Sequence, residues 1–377
     1  MNHAIRNARI VTPDEDFIGS VEIRDGRIQK IDRGDSQVGE DFEEDILLPG
    51  IIDIHTDNLE KHFFPRPNID WSPISAAVTH DAACVSVGVT TVFDSLSIGS
   101  FNGSPARGKE NLHNLTGGLL HARDVGMLKA DHYLHWRCET SSDFLCEWLE
   151  DFAGHPMAAM FSLMDHTPGQ RQYKNLDKYL QNWRDQGLDD RAITVRLGEC
   201  RERQERNALG NARIVAATSW QFGAVLVSHD DETPEHVDQA ADLGATVAEF
   251  PVTVEAAERS RARGMVVVMG GPNLIRGGSY SGNVPASTLI QEGLLEAFAS
   301  DYVPRSLIEC AFRLVDPDFG WSLSRAISTV TSATARAAGL QDRGEVALGK
   351  RADLLRVRRV HGMPVLRGVW VEGARVA

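Results

Sequence analysis

Short apolar runs alternate with longer polar stretches from about residue 50 to about residue 340. Apolar runs of four to eight residues bounded by turn signals read as buried strands. They fall at 50–56, at Thr90-Thr91-Val92-Phe93, and at 130–138, 158–164, 223–228, 245–250 and 265–269. A short one precedes Asp301, although Leu294–Ala299 fits a helix equally well. Between them lie helix-compatible segments such as Ile74–Val87, Glu139–Phe152 and Gln172–Gln186. About eight strand–helix units in ~290 residues predict an α/β fold, a parallel sheet closed as a TIM-type (β/α)8 barrel.

The two ends are patterned differently. Ala8–Val11, Val21–Ile23 and Arg27-Ile28 read as short strands, with a hairpin signal at Asp25-Gly26. Asp353–Val357, Pro364–Leu366, Val369–Val371 and Arg375-Val376 behave likewise. Two β-rich ends around one long middle predict a small β-sandwich built from 1–49 and 341–377, beside a barrel spanning 50–340.

Composition narrows the class. The chain has 377 residues, 42% hydrophobic and 24% charged, which is ordinary for a globular protein. A net charge of −14 repels phosphates, so neither nucleic acid nor an anionic membrane is an expected partner. A locally basic pocket can still take a small phosphorylated ligand. Five scattered cysteines without a C-x-x-C pair fit reduced thiols. With no signal peptide and no apolar run near the ~18 residues of a membrane span, a cytoplasmic protein is expected. A homo-oligomer is compatible with these properties but not required by them.

In such a barrel, chemistry gathers at the C-terminal ends of the strands. The first strand ends in His55-Thr56-Asp57, whose period of two puts both ligand-type side chains on one face. Other strand candidates end at Glu139, at Asp165-His166, at His229-Asp230-Asp231 and at Asp301. A single strand-end histidine is more often a hydrogen-bonded loop residue than a ligand; five coincidences at one topological place favour a metal centre. Three imidazoles and three carboxylates exceed the needs of one catalytic zinc, so two divalent ions are expected, of Zn, Mn or Mg. His55, Asp57 and Asp301 would surround one, Glu139 would bridge, and His166 with His229 would hold the other. Asp301 is also the expected general base. The carboxylate in His-x-Asp makes that corner rich in oxygen and tilts it towards Mn²⁺ or Mg²⁺.

Other polar residues divide. His80-Asp81 in the segment 74–87 reads as structural, Asp94 as support behind the site, and Asp230 and Asp231 as caps. His135 and Arg137 share the inward face with Glu139, and Arg137 reads equally as an ion-pairing barrel arginine or a substrate contact. The Gly-rich segment 270–283 follows an apolar run; it places Arg276, Ser279, Ser281 and Asn283 where a ligand loop would lie. It contains no Gly-Lys-Ser/Thr, so it is not a P-loop. Lys61 and Arg171 sit just after ligand-bearing positions. Together with Arg276, Ser279 and Asn283 they form the expected binding set for an anionic substrate.

LLPGIIDIHTD (47–57) and GEVALGKRADLL (344–355) resemble the amidohydrolase superfamily. HTDNLEKHFFPRP (55–67), LMDHTPGQRQY (163–173), VSHDD (227–231), PNLIRGGSYSGNV (272–284) and ASDYVP (299–304) resemble one family within it, the PhnM family of α-D-ribose 1-methylphosphonate 5-triphosphate diphosphatases of the carbon–phosphorus lyase pathway. The resemblance runs over nearly the whole chain. It implies metal-dependent hydrolysis of a phosphorylated sugar, from the 5-triphosphate to the 5-phosphate and pyrophosphate. One departure stands out, Tyr280 where the family pattern has histidine; it questions a ligand or proton role there and is compatible with another phosphorylated sugar. Two rivals are a cyclic amidase or deaminase, which the superfamily alone would permit, and a non-catalytic scaffold, whose mark would be missing ligands.

Overall fold

The computed structural model describes residues 3–34, 36–67, 69–99, 107–279 and 281–377. Tyr280 therefore lies outside the described residues. Among those described, the strands fall into two sheets.

The first part of the chain supplies β1 (His3–Val11), β2 (Asp16–Arg24), β3 (Arg27–Arg33), β4 (Glu40–Asp41) and β5 (Ile46–Pro49). Asp25 and Gly26, at φ 52° and 74°, turn β2 into β3; both central residues of a type I′ hairpin need that left-handed region. The middle supplies β6 (Ile51–Thr56), β7 (Val89–Ile98), β8 (Asp131–Glu139), β9 (Ala158–Met164), β10 (Val225–His229), β11 (Val247–Glu249), β12 (Val266–Gly270) and β13 (Ala297–Ala299). The last part adds β14 (Leu354–Val360), β15 (Met363–Val371) and β16 (Ala374–Arg375).

Strands β6 to β13 pair in chain order, each parallel to the next, with helices packed outside. Ala297–Ala299 is thus a strand rather than a helix. The ring closes at its upper end: Asp57 N–H donates to the Asp301 carbonyl at 3.0 Å, and Asp301 N–H to the His55 carbonyl at 2.9 Å. Lower down, Val330 and Thr329 carbonyls accept from Ile52 and Phe298 N–H and fill the gap between β6 and β13. Ile52, Ile54, Phe93, Met160, Val227, Val247, Val268 and Ala297 fill the barrel interior. A second, larger apolar layer lies between the strands and the helices.

The terminal strands form one hydrogen-bonded path, β16-β15-β14-β5-β1-β2-β3, with β4 also on β1. They share a separate core of Ile5, Ile10, Val21, Ile23, Ile28, Phe42 and Trp370. Strands β5 and β14 belong to both layers: Leu47 and Leu354 face this small core, while Leu48 and Leu355 face the barrel helices. That is the period of two of a strand buried on both sides.

The described loops carry two further features. The segment after β9 leads into a helical hairpin, Leu176–Asp185 and the 32-residue helix Asp190–Gln221, with its own apolar cluster of Trp183, Ile193 and Cys200. The expected helix 139–152 begins only at Leu145, because Glu139 still belongs to β8 and Thr140 N–H bonds the Met164 carbonyl at 2.8 Å.

Candidate active site

The upper ends of β6, β8, β10, β11 and β13 converge. His55, the fifth residue of β6, is buried, with the rings of His135, His229 and Phe250 beside it. Its Nδ1 lies 2.9 Å from Glu249 Oε2 at the end of β11. That contact is off the line a hydrogen bond requires, so the buried Nδ1 has no hydrogen-bond partner. His229, ending β10, approaches the same Oε2 through its Nδ1 at 2.8 Å, and the two imidazoles stack with ring centres 5.5 Å apart. Glu249 was not singled out from the sequence. It obeys the same rule that picked the others, a ligand-type residue at the end of a barrel strand.

Burial, with Arg137 nearby, pushes the His55 imidazole down to about 3. Burial does the same to His229, also to about 3, against the pull of Glu249. Both rings are therefore neutral near pH 7, the form that binds metal.

Backbone geometry aims these groups. Asp230, Phe250 and Asp301, each directly past or near a strand end, adopt φ of 54°, 58° and 56°. A non-glycine residue in that region costs about 1 kcal/mol or more. Asp57 and Asp301 face the cleft, and Asp57 Oδ1 is buried with no hydrogen bond. Burial, then repulsion from Asp57, raises the Asp301 carboxyl to about 6.

Glu139 and His166 make a second cluster. His166 Nδ1 is 2.6 Å from Glu139 Oε2, and the His166 N–H and the Ser141 hydroxyl donate to Oε1 at 3.0 and 2.9 Å. Burial would raise the Glu139 carboxyl, but His166 and these donors hold it below its usual range. His166 stands beside His229, ring centres 6.5 Å apart. His135 points to the same interior, yet both its nitrogens are engaged, by the Ile54 carbonyl at 2.8 Å and by the Ser162 hydroxyl.

A metal fits this arrangement on its own evidence. His55 Nδ1, Asp57 Oδ1 and one oxygen of Glu249 are buried polar atoms without hydrogen-bond partners, grouped where the strand ends meet. Buried donors and acceptors are rarely left so. Neutral imidazole nitrogens and carboxylate oxygens are what a divalent cation takes.

Above this floor opens a cleft of about 630 Å³, lined in part by Asp57, His166, Tyr173, Asp230 and Asp301. Among the described residues its cations are Arg107, Arg137 and Arg276, and Ser279 and Asn283 also line it. Arg276 meets the Tyr302 hydroxyl at 3.2 Å. Lys61 lies at the rim, donating to Asn58 Oδ1 and the Tyr302 carbonyl, both at 3.1 Å. Arg171 points elsewhere. Its guanidinium holds the His229 carbonyl at 2.9 Å and Asp231 at 2.7 Å, and it lines a neighbouring cavity of about 410 Å³. Arg107 was not anticipated, since nothing in its local sequence ties it to a strand end; the fold brings it in through an ion pair with Glu60 at 3.1 Å.

Comparison with known proteins places this geometry. An amidohydrolase family model matches residues 110–377. The α-D-ribose 1-methylphosphonate 5-triphosphate diphosphatase of Escherichia coli (strain K12) is 40% identical over 376 residues, 99% of each chain. Among solved structures, 5-methylcytosine deaminase from Klebsiella pneumoniae superposes with a TM-score of 0.67 at 14% identity, covering 99% of this chain and 98% of its own. N-acetyl-D-glucosamine-6-phosphate deacetylase from Mycobacterium smegmatis superposes at 0.62 and 16% identity over the full length of both. At those identities the structures speak for the fold alone, but the family match and the full-length relative go further: the chain belongs to the amidohydrolase family, and within it to the family of α-D-ribose 1-methylphosphonate 5-triphosphate diphosphatases.

Proposed function

We propose that this chain is a metal-dependent hydrolase that cleaves α-D-ribose 1-methylphosphonate 5-triphosphate to the 5-phosphate and pyrophosphate, in phosphonate metabolism. One observation carries the reading, the 40% identity to the Escherichia coli diphosphatase over 99% of both chains. The cleft agrees with it: among the described residues three arginines line it together with Asp57, His166 and Asp301, which suits a polyphosphate better than a neutral cyclic amide.

Two divalent ions are proposed. His55, Asp57 and Asp301 serve one, with Mn²⁺ or Mg²⁺ favoured at that oxygen-rich corner. His229 and His166 serve the other. Glu249 Oε2, which lies against both His55 and His229, is the better placed shared carboxylate; Glu139 supports His166. Bound there, the ions would polarise a phosphoryl oxygen and acidify water.

The chain's own groups do the rest. Asp301, raised to about 6, takes the proton of the attacking water. The water oxygen bonds to phosphorus, the anhydride P–O bond breaks, and pyrophosphate leaves with the electron pair. Arg276 and, at the rim, Lys61 neutralise the polyphosphate tail. Ser279 and Asn283, whose Oδ1 is buried without a partner, accept and donate to the polar parts of the substrate. Arg171 is assigned a supporting role, fixing the His229 strand end through its carbonyl.

Hydrolysis in oxygen-18 water with mass analysis of the products tests the proposal. One heavy oxygen is expected in the 5-phosphate and none in the departing pyrophosphate. Stepwise release of orthophosphate, or turnover of cyclic amides in place of the triphosphate, would overturn it.

A further inference from the structure

Arg137 has no structural explanation as an ordinary ion-pairing residue. It stands on β8 between His135 and Glu139, with the same inward orientation. Its side chain is only 12% exposed, yet Nε is buried without a hydrogen-bond partner. Among the described residues its ion pair is with Asp57 Oδ2, at 4.0 Å from Nη1, beyond hydrogen-bond length. Other buried arginines here are anchored by direct hydrogen bonds to carboxylates, although Arg351 Nη2 is also buried without a partner. Arg351 Nε bonds both oxygens of Asp353 at 3.1 and 3.0 Å, and its Nη1 bonds Asp131. Arg343 Nη1 bonds Thr91 at 3.0 Å and Asp131 at 2.6 Å.

The field around Arg137 explains how an unsatisfied guanidinium is tolerated. Asp57, Glu60, Asp301 and Glu249 all act on it. It faces the carboxylates on which the proposed ions depend without bonding to them, and it lines the cleft. A guanidinium offers five N–H donors in a planar fork that matches two oxygens of a phosphoryl group. Leaving such a group buried and unpaired is costly, so the site is built for a ligand that supplies the acceptors.

We propose that Arg137 is a catalytic residue of the diphosphatase reaction, its guanidinium holding two oxygens of the phosphoryl group under attack. Charge on those oxygens is balanced as water adds and pyrophosphate departs. This assignment rests on the proposed function.

Arg137→Lys and Arg137→Ala test it. With the triphosphate as substrate, kcat should fall about 100-fold to 1,000-fold in each, the usual effect of losing a donor to a developing oxyanion. Thermal midpoint and bound metal should stay near wild type in Arg137→Lys, which keeps the charge but not the fork. Added guanidinium ion should restore part of the activity of Arg137→Ala. The assignment is overturned if both variants keep kcat within threefold of wild type, or if Arg137→Lys loses activity only in proportion to lost metal. Calorimetric titration with ribose 5-phosphate, which carries the phosphoryl group that Arg137 is proposed to hold, separates this assignment from the wider reading. If wild-type protein does not hydrolyse the triphosphate, the function fails, but at least tenfold weaker ribose 5-phosphate binding by Arg137→Ala still supports the anion contact, and equal binding overturns it.

Discussion

Glu249 and Glu139 divide a role that the sequence gives to one carboxylate. Glu249 lies against His55 and His229, whereas Glu139 is saturated by His166 and Ser141. Glu249→Gln is therefore expected to lose most of the bound metal, and turnover by at least about 100-fold. Glu139→Gln should lose less metal. Elemental analysis of the two purified variants checks the order; the reverse order would return the bridging role to Glu139. Asp301→Asn keeps the shape of the side chain and removes the base. Turnover should fall about 100-fold to 10,000-fold with an unchanged thermal midpoint, and wild-type turnover would sink the base assignment. The strand-end residues His55, Asp57, Glu139, His166, His229 and Asp301 were legible because each interrupts or closes an apolar run. Glu249 ends a strand of only three residues and lies inside the run expected at 245–250, with Phe250 after it, so it does not stand out in the sequence as the residue that closes an apolar run. The turning-away of Arg171 depends on a left-handed backbone, φ 51°, which no spacing of residues encodes.

At the scale of elements, the helix Pro73–Ser86 is locked to β7 and β8 by a fully buried polar network. Asp94 on β7 receives His80 Nε2 and His132 Nδ1, each at 2.7 Å. His132 Nε2 lies 3.4 Å from Asp81, which also accepts two backbone N–H groups. Burial alone would depress the His132 imidazole, but Asp94 and Asp81 overcome it and hold it up at about 9. Burial would likewise raise the Asp94 carboxyl, and the two histidines instead hold it well below its usual range. The signs set a window. The raised His132 stabilises the fold fully below its unfolded value of 6.5 and loses that contribution as pH rises through about 9. The lowered Asp94 contributes above its unfolded value of 3.8 and loses that contribution in stronger acid. Asp94→Asn should cost about 3–5 kcal/mol, as breaking a buried pair does, and should flatten the alkaline fall of stability. Denaturant titrations between pH 6 and pH 10 read this directly; an unaltered slope would remove His132 from the account. The sequence hinted at this only by placing His80-Asp81 in a helix, because the partners lie on two different strands. Seven of the eight barrel strands were legible, since a parallel strand covered on both faces is nearly all apolar; the three-residue β13 was too short to tell from a helix.

For the whole molecule, the metals should add stability as ligands of the folded state alone. Chelation is expected to abolish turnover and lower the thermal midpoint by several degrees without unfolding the chain at 25 °C, since a ligand present at 100 times its Kd adds about 2.7 kcal/mol. Calorimetry with and without chelator checks it, and an unmoved midpoint would mean that the ligand cluster binds no ion tightly. The barrel and the terminal sheet are also coupled electrostatically. Asp131, at the start of β8, receives Arg343 Nη1 at 2.6 Å and Arg351 Nη1 at 2.5 Å. Asp131→Asn should cost about 2 kcal/mol and leave a single unfolding transition; two separated transitions would show that the sheet melts by itself. Both β-rich ends, and their joining in one small β-sandwich, were evident in the sequence. The strand order and register that join them in one hydrogen-bonded path were not, because register between distant strands depends on the fold between them.

That union sets an order on the birth of the protein. Pro49 and Leu354 are hydrogen-bond-register partners, about 300 residues apart, and contacts so distant form late. Until β14 has left the ribosome, Leu47 and Leu48 have no strand to cover that edge. At about 5–20 residues per second the growing chain carries an open sheet edge for tens of seconds. A nascent chain stalled anywhere in the barrel is therefore a natural client for a chaperone.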